Sequence, residues 1–579
     1  MGVQGLTGFV EERGVFFTEL RVRDTKLVID GSSLYHRLCF APAADFRRGG
    51  DYGAFAAAVR DFFGTLRSCR VAPFVVLDGG RGAEDRKLPT LRGRAAEQLR
   101  AAHGLSRGAG GCLAPLLTRE AFVQALGRLG VPFVQCFAEA DREIAALANS
   151  WGCPVLSLDS DFCVFDLAGG YCPLSHFQWE SVRAADGPQG CYVPARCFSV
   201  ERFCRHFGRL NKSLLPLFAV MNGNDYVGLA ALEAFFSKVR LPRGCAAGKG
   251  GRHLRLQGLL NWLAQFAEPT EAVENVLKYL KKHQREEIRE LLCTSMEDYA
   301  PSDVNLEDFF QNGRWRTCRD RALTAHLCPS DKLSMDCSWG YLKILKLLLQ
   351  MSMSCRQMLL LETLGVKMSF LESIPSHLQL PVAVTCYWIR CSEPKVKLHQ
   401  LKALLLTIVS GELHRINDDP VLCAEDDSIA YNEFLKWKEK KLQNNDFDLD
   451  AAHNFCQWQC CLQMGLYLNQ LLCTPLSEPD LSRLYTGILV HRLYQELKST
   501  PSVENLFILS QKMTQLYLLL LNTVEATVSP EFFQKTTKTR SDSCKKKKAS
   551  IKKKTAKCAM PENLHFCSVN RFASLEVDD

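Results

Sequence analysis

The chain has 579 residues, 47% of them hydrophobic and 23% charged, the balance of a soluble globular protein with room for two to four domains of about 150 residues. No apolar run approaches the roughly 18 residues of a membrane span. Residues 1–6 lack the basic-then-apolar pattern of a secretory leader, so no membrane role and an intracellular location are expected. The net charge of +8 suggests nucleic acid, but eleven lysines and arginines against one aspartate between 535 and 557 account for all of it. The rest of the chain is slightly acidic. None of the 26 cysteines sits in a C-x-x-C pair, which argues against a zinc ribbon or redox motif and for free thiols.

In chain order, residues 1 to about 80 read as β-α-β. Leu27-Val28-Ile29 runs into Asp30, and Gly31 to Leu38 continues with capping chemistry into a helix. A second helix around Phe55 to Leu66 feeds Phe74-Val75-Val76-Leu77, which ends at Asp78. Such alternation predicts a mainly parallel sheet. From 81 to 111 the pattern breaks into an arginine-rich helical excursion, with seven bases against Glu84, Asp85 and Glu97, closed by Gly108 to Gly111. Thr118 to Leu129 reads as a helix, and Phe133 to Phe137 as a strand leading to Glu139 and Asp141. Positions i and i+2 do not share a helix face, so these two acids converge only if one lies in the first turn. The run Val155 to Leu158 then ends in Asp159 and Asp161. A loop follows, then a helical stretch from Val200 to Val220 and the turn Gly223-Asn224-Asp225-Tyr226.

Seven acids at strand tips or turns point to a divalent-metal site. A carboxylate at the carboxyl end of a strand lies in the crevice where open α/β sheets bind ligands. Two of them one residue apart repel unless a cation neutralises them. Oxygen donors suit Mg²⁺ or Mn²⁺, and two such ions about 4 Å apart can serve both the attacking and the leaving oxygen of a phosphodiester. The expected assignment gives Asp30, Asp78, Glu139 and Asp141 to one ion. Asp141, Asp159, Asp161 and Asp225 hold or orient the second.

The motifs Met1-Gly2-Val3-Gln4-Gly5-Leu6, Val28-Ile29-Asp30-Gly31, Val76-Leu77-Asp78-Gly79, Glu139-Ala140-Asp141, Asp159-Ser160-Asp161 and Gly223-Asn224-Asp225-Tyr226 resemble, in order, those of the flap endonuclease superfamily. Within it the chain is most similar to the asteroid proteins. The resemblance implies a PIN-like nuclease domain, magnesium or manganese, and DNA hydrolysis. Arg92 matches the spacing of an arginine that contacts the reacting phosphate, and Lys87 falls two residues late for its companion. Three departures stand out. Asp141 replaces a longer glutamate, and the glycine hairpin that grips duplex DNA is absent after Tyr226. The stacking tyrosine is displaced to Tyr35, which leaves His36 at its spacing.

The expected architecture is α/β. A PIN-like domain with a mostly parallel sheet spans 1–230, with its helical excursion at 81–111. A helical extension (231–312), an unassigned connection (313–355), an α-helical domain (356–530) and a disordered basic tail (531–579) follow. The expected function is a structure-selective DNA endonuclease for single-stranded DNA, overhangs or flaps, acting in repair. Its expected partners are DNA with single-stranded ends and repair proteins bound through the helical half, and the lysine-rich tail suggests nuclear import. Alternatives are a catalytically silent adaptor of the same fold and a nuclease directed at RNA.

Overall fold

The computed structural model describes residues 2–40, 47–80, 88–109, 113–136, 138–184, 190–223, 232–236, 251–302, 304–311, 350–418, 423–439, 447–499 and 510–532. The first half runs α1 (Leu6–Glu11), β1 (Phe17–Val22), β2 (Lys26–Asp30), α2 (Gly31–Cys39), α3 (Tyr52–Ser68), β3 (Ala72–Leu77), α4 (Leu88–Ser106), α5 (Thr118–Leu129), β4 (Phe133–Gln135), α6 (Asp141–Trp151), β5 (Val155–Ser157), β6 (Tyr171–Pro173), β7 (Arg183–Ala184), β8 (Cys191–Phe198), α7 (Val200–His206) and α8 (Leu215–Asn222). The strands form one sheet in the order β1-β8-β6-β5-β2-β3-β4, with β7 on β8. Strands β2 to β6 are parallel, and β8 runs antiparallel to β1, β6 and β7.

Short apolar runs make the parallel strands, because both of their faces are buried. Leu27, Ile29, Val75, Leu77 and Leu156 enter one core, and the alternating Val28, Val76 and Val155 enter the other. All parallel strands therefore end on the same edge, which brings the acids that follow β2, β3, β4 and β5 to one side of the molecule. The expected loop between Asp161 and Val200 instead holds β6, β7 and β8. Pro194 inside β8 and Gly169-Gly170 before β6 are residues that sequence patterns count against strands. The expected continuous helix from Val200 to Val220 is two helices, α7 and α8, separated by a turn in which Arg209 takes a positive φ of 62°.

The second core carries α1, α6 and α8 together with α9 (Glu233–Phe236), α10 (Gly251–Leu263), α11 (Pro269–Lys278), α12 (Arg285–Glu297) and α13 (Leu306–Gln311). The first core is larger. It continues from the sheet through α3 and α5 into the helices of the second half. These are α14 (Met353–Leu364), α15 (Ser376–Cys391), α16 (Leu398–Asn417), α17 (Glu425–Glu439), α18 (Leu449–Leu471), α19 (Leu481–Leu484), α20 (Gly487–Ser499) and α21 (Gln511–Thr527).

The seam between the halves is hydrogen-bonded as well as apolar. The buried Tyr52 hydroxyl donates to Gln459 Oε1 at 2.5 Å and accepts from the Leu117 amide at 3.0 Å. Gln124 donates to the Pro479 carbonyl at 3.0 Å and accepts from the Leu481 amide at 3.1 Å. The Gly487 amide donates to the Gly50 carbonyl at 2.8 Å. A β-carbon on Gly487 would stand 2.2 Å from the Arg48 carbonyl oxygen, so the closeness of this crossing requires glycine.

The connection 313–355 and the basic tail fall almost wholly outside the described residues. The described cysteines are free thiols, eight of the 18 buried, with Cys456 and Cys460 exposed on α18. No described helix is long and apolar enough to cross a membrane.

Candidate metal centre

Asp30 ends β2 and caps α2, and only 6% of its surface is exposed. Its Oδ1 accepts from the Ser33 amide at 3.1 Å, while Oδ2 accepts from the Ser33 hydroxyl at 2.5 Å and the Ser157 hydroxyl at 2.6 Å. Burial pushes this carboxyl above its usual range, the serines pull it down, and the Asp159 charge pushes it up again. Asp78 follows β3 directly. Its Oδ1 accepts from the Ala140 amide at 3.0 Å, which ties the strand tip to the start of α6, where Asp141 is the first residue.

Asp159 and Asp161 sit in the turn after β5. The Asp159 amide donates to Ser157 Oγ at 2.9 Å, and Asp159 Oδ1 accepts from the Asp161 amide at 3.1 Å. Ser157 therefore serves two acids at once, Asp30 through its proton and Asp159 through its lone pair. On the far side, Asp161 Oδ1 accepts from the Tyr299 hydroxyl at 3.0 Å. Tyr299 follows α12 and is locked over α6. Arg142 Nε donates to the Ala300 carbonyl at 2.9 Å and its NH2 to that of Pro301 at 3.0 Å, while the Tyr299 ring lies 5.6 Å from that of Phe165.

Carboxylate oxygens of Asp141, Asp159 and Asp161 all lie within 4.8 Å of one another. Although part of Asp141 reaches solvent, its carboxyl is driven well above the ordinary range, first by burial and then by Asp159, Asp161, Asp78 and Asp30. All five acids thus share one electrostatic neighbourhood. Its donors are hard oxygens, the set that a divalent cation such as Mg²⁺ or Mn²⁺ takes, and like charges packed this closely are relieved by such a cation.

The sequence-predicted residues divide clearly. Asp141, Asp159 and Asp161 come together, with Asp30 and Asp78 beside them. Glu139 is exposed in the segment ahead of α6 and lies outside the close group, although Asp141 opens the helix, the arrangement that the spacing requires for the two acids to converge. Arg92 is exposed on α4. Asp225 and Lys87 lie outside the described residues. Sequence reasoning missed Ser33, Ser157 and Tyr299. The serines had a signal, since each stands two or three residues from an aspartate at a strand end. Tyr299, in a different helical layer, had none.

Gly2 adds a further constraint. It has a φ of +82°, and a β-carbon there would stand 2.2 Å from Asp159 Oδ1 and 2.4 Å from Ser160 Oγ. The first residues therefore run against the acid turn, where no side chain fits.

Comparison with known proteins identifies relatives along the whole chain. The family described as Asteroid N-terminal domain matches residues 377–539. The Homo sapiens protein named single-strand DNA endonuclease ASTE1 is 45% identical over 100% of this chain and 98% of its own length. The Danio rerio protein of the same name is 31% identical over 92% and 87%. The Drosophila melanogaster protein asteroid is 30% identical over 54% of this chain and 41% of its own. Among solved structures, the catalytic core of Rad2 in complex with DNA substrate covers 54% of this chain and 83% of that one, at 16% identity and a TM-score of 0.29, too loose for residue correspondence. On the strength of the full-length relatives, this chain belongs to the asteroid family.

Proposed function

We propose that the chain is a structure-selective endonuclease that hydrolyses single-stranded DNA, as tails, overhangs or flaps, with Mg²⁺ or Mn²⁺ at the acid cluster. The carrying observation is the convergence of Asp141, Asp159 and Asp161 within 4.8 Å at the carboxyl edge of a parallel sheet. The name single-strand DNA endonuclease borne by the full-length relatives supports the substrate.

Asp141, Asp159 and Asp161 would hold the cation, with Asp30 and Asp78 beside them and Asp225 as sequence assigns it. Glu139, outside the close group, would act through water. A divalent cation held there would supply a nucleophilic water and offset the phosphate's charge, and a second would offset charge on the leaving oxygen. The protein's own contribution is positional. Ser33 and Ser157 set the Asp30 carboxylate, the Ala140 amide sets Asp78, and Tyr299 sets Asp161. Arg92 is assigned to the reacting phosphate, where a guanidinium binds oxygen pairs. Action in DNA repair, a nuclear location and protein partners for the helical half complete the reading, supported by the basic run at 535–557.

The test is a cleavage assay of the full-length protein on labelled single-stranded DNA, 5′-flap, 3′-overhang, duplex and RNA, with Mg²⁺, Mn²⁺ or EDTA. Metal-dependent cutting of the substrates with single-stranded segments is expected. Asp159→Ala with Asp161→Ala should lower the rate on the order of 10³-fold or more. Undiminished cutting by that double variant would reject the assignment.

A further inference from the structure

The wall beside the acid cluster is built from both halves of the molecule. Helix α2, whose cap is Asp30, carries Tyr35 one turn further on. The Tyr35 ring lies 5.8 Å from that of Phe122 on α5 and 4.6 Å from that of His36. Arg119 stands three residues before Phe122 on α5, so the two share a helix face. The charge of Arg119 acts on both Tyr35 and Tyr467, and those of Asp78 and Asp30 also reach Tyr35.

Tyr467 comes from α18 in the second half. Its hydroxyl donates to Glu120, and Gln463 one turn earlier donates to the Leu116 carbonyl at 2.9 Å and to Glu120 Oε2 at 3.3 Å. Glu120 is thus occupied by two neutral donors from the other half, although Arg119 adjoins it. Among the described residues Arg119 itself has no hydrogen bond or ion pair. Tyr467 is nevertheless 38% exposed, and Met464 and Leu471, three residues before and four after it, are 50% and 45% exposed.

An exposed aromatic ring beside a cation that has no acid partner, continuous with a metal-ligand cluster, is the chemistry that holds a polyanion with open bases. Aromatic faces stack unpaired bases whatever their sequence, whereas the bases of a duplex are already stacked. Arginine supplies the phosphate contact. We propose that Arg119 and Tyr467, next to Tyr35, form an approach strip that holds a phosphate and adjacent unpaired bases of a DNA strand before it reaches the acids. The proposal rests on the endonuclease reading and adds to it the reason for single-strand preference: the helical half supplies part of the strand's path.

The experiment uses the full-length protein with Ca²⁺ in place of Mg²⁺ to suppress cutting, and reads binding of a fluorescent oligothymidylate and of a blunt duplex by anisotropy. Arg119→Gln and Tyr467→Ala should each weaken oligothymidylate binding on the order of tenfold and leave duplex binding within about twofold. Arg119→Gln should also reduce the slope of log affinity against log salt by about one unit. Tyr467→Phe keeps the ring and should bind as the unmodified protein does, which separates stacking from the bond to Glu120. Under Mg²⁺ the cleavage defect should fall on KM. Unchanged oligothymidylate affinity in both variants, or equal losses for single strand and duplex, would overturn the strip. An unmodified protein that binds the oligonucleotide but cuts no DNA with any divalent ion would sink the nuclease reading instead.

Discussion

The acid crevice and the seam between the halves are built on opposite principles. At the seam, the polar side chains singled out above meet neutral partners: Tyr52 with Gln459 and the Leu117 amide, Gln124 with two backbone groups. Apolar surface fills the rest. In the crevice, five carboxylates crowd together, and burial and mutual repulsion raise two of them above their usual range. Neutral hydrogen bonds and apolar burial stabilise a fold, whereas clustered like charges strain it until a ligand arrives. Stability resides at the seam and chemistry in the crevice, so changes to the two should produce different failures.

The largest effect on folding should come from the seam's core. Trp458 is fully buried, stacks on Tyr485 at 5.8 Å and donates to Thr385 Oγ1 at 3.0 Å. Trp458→Ala should cost about 3–5 kcal/mol. Because one core joins sheet and helices, calorimetry should show the nuclease half melting earlier together with the helical half. Two separated transitions, with only one shifted, would break the comparison.

Next comes acid sensitivity. His491 is buried with its ring stacked on that of Phe447, and burial and the Arg48 charge lower its pKa from 6.5 to about 3, against a smaller opposing effect from Asp448. A histidine depressed in the folded state contributes stability above its unfolded pKa and loses it as pH falls. Between pH 6.5 and about 3 the unfolded chain takes up a proton that the folded chain refuses, so stability should fall by up to about 1.4 kcal/mol per pH unit from this group. His491→Phe should flatten that slope in denaturant titrations run from neutral to acidic pH. An unaltered slope would remove His491 from the seam's pH response.

The smallest effect probes the crevice. Tyr299→Phe deletes one hydrogen bond to Asp161 and keeps the ring on Phe165. Loss of such an outer partner weakens metal affinity by about 10-fold or somewhat more, measurable by electron paramagnetic resonance of Mn²⁺ titrations without any DNA. The melting temperature of the metal-free protein should barely move. A large drop in it, with Mn²⁺ affinity intact, would place Tyr299 among the structural residues.

Much of this was legible in the residues, for physical reasons that also mark where it stopped. Strands β2, β3 and β5 are apolar runs that lead into aspartates, and parallel pairing carries all their ends to one edge, which places Asp30, Asp78, Asp159 and Asp161; Asp141, at the start of α6, rested on the motif order as well. Strands β1 and β8 pair with each other, and their interrupted patterns, including Pro194, hide them. The partners of the acids were harder. Tyr299 and Asp161 are separated by 138 positions, and no local rule links a tyrosine after one helix to a turn after a strand. The second half could be recognised as helical from its leucine spacing, but its docking depends on pairs such as Tyr52 and Gln459, 407 positions apart.

The shared core has an evolutionary consequence. Helices α15 to α20 form the backing of α3 and α5, which themselves cover the catalytic sheet. Loss of the carboxy-terminal half would uncover the apolar faces of α3 and α5. Pressure to keep the acid site intact would therefore extend to core residues far from it, such as Leu404 and Trp458.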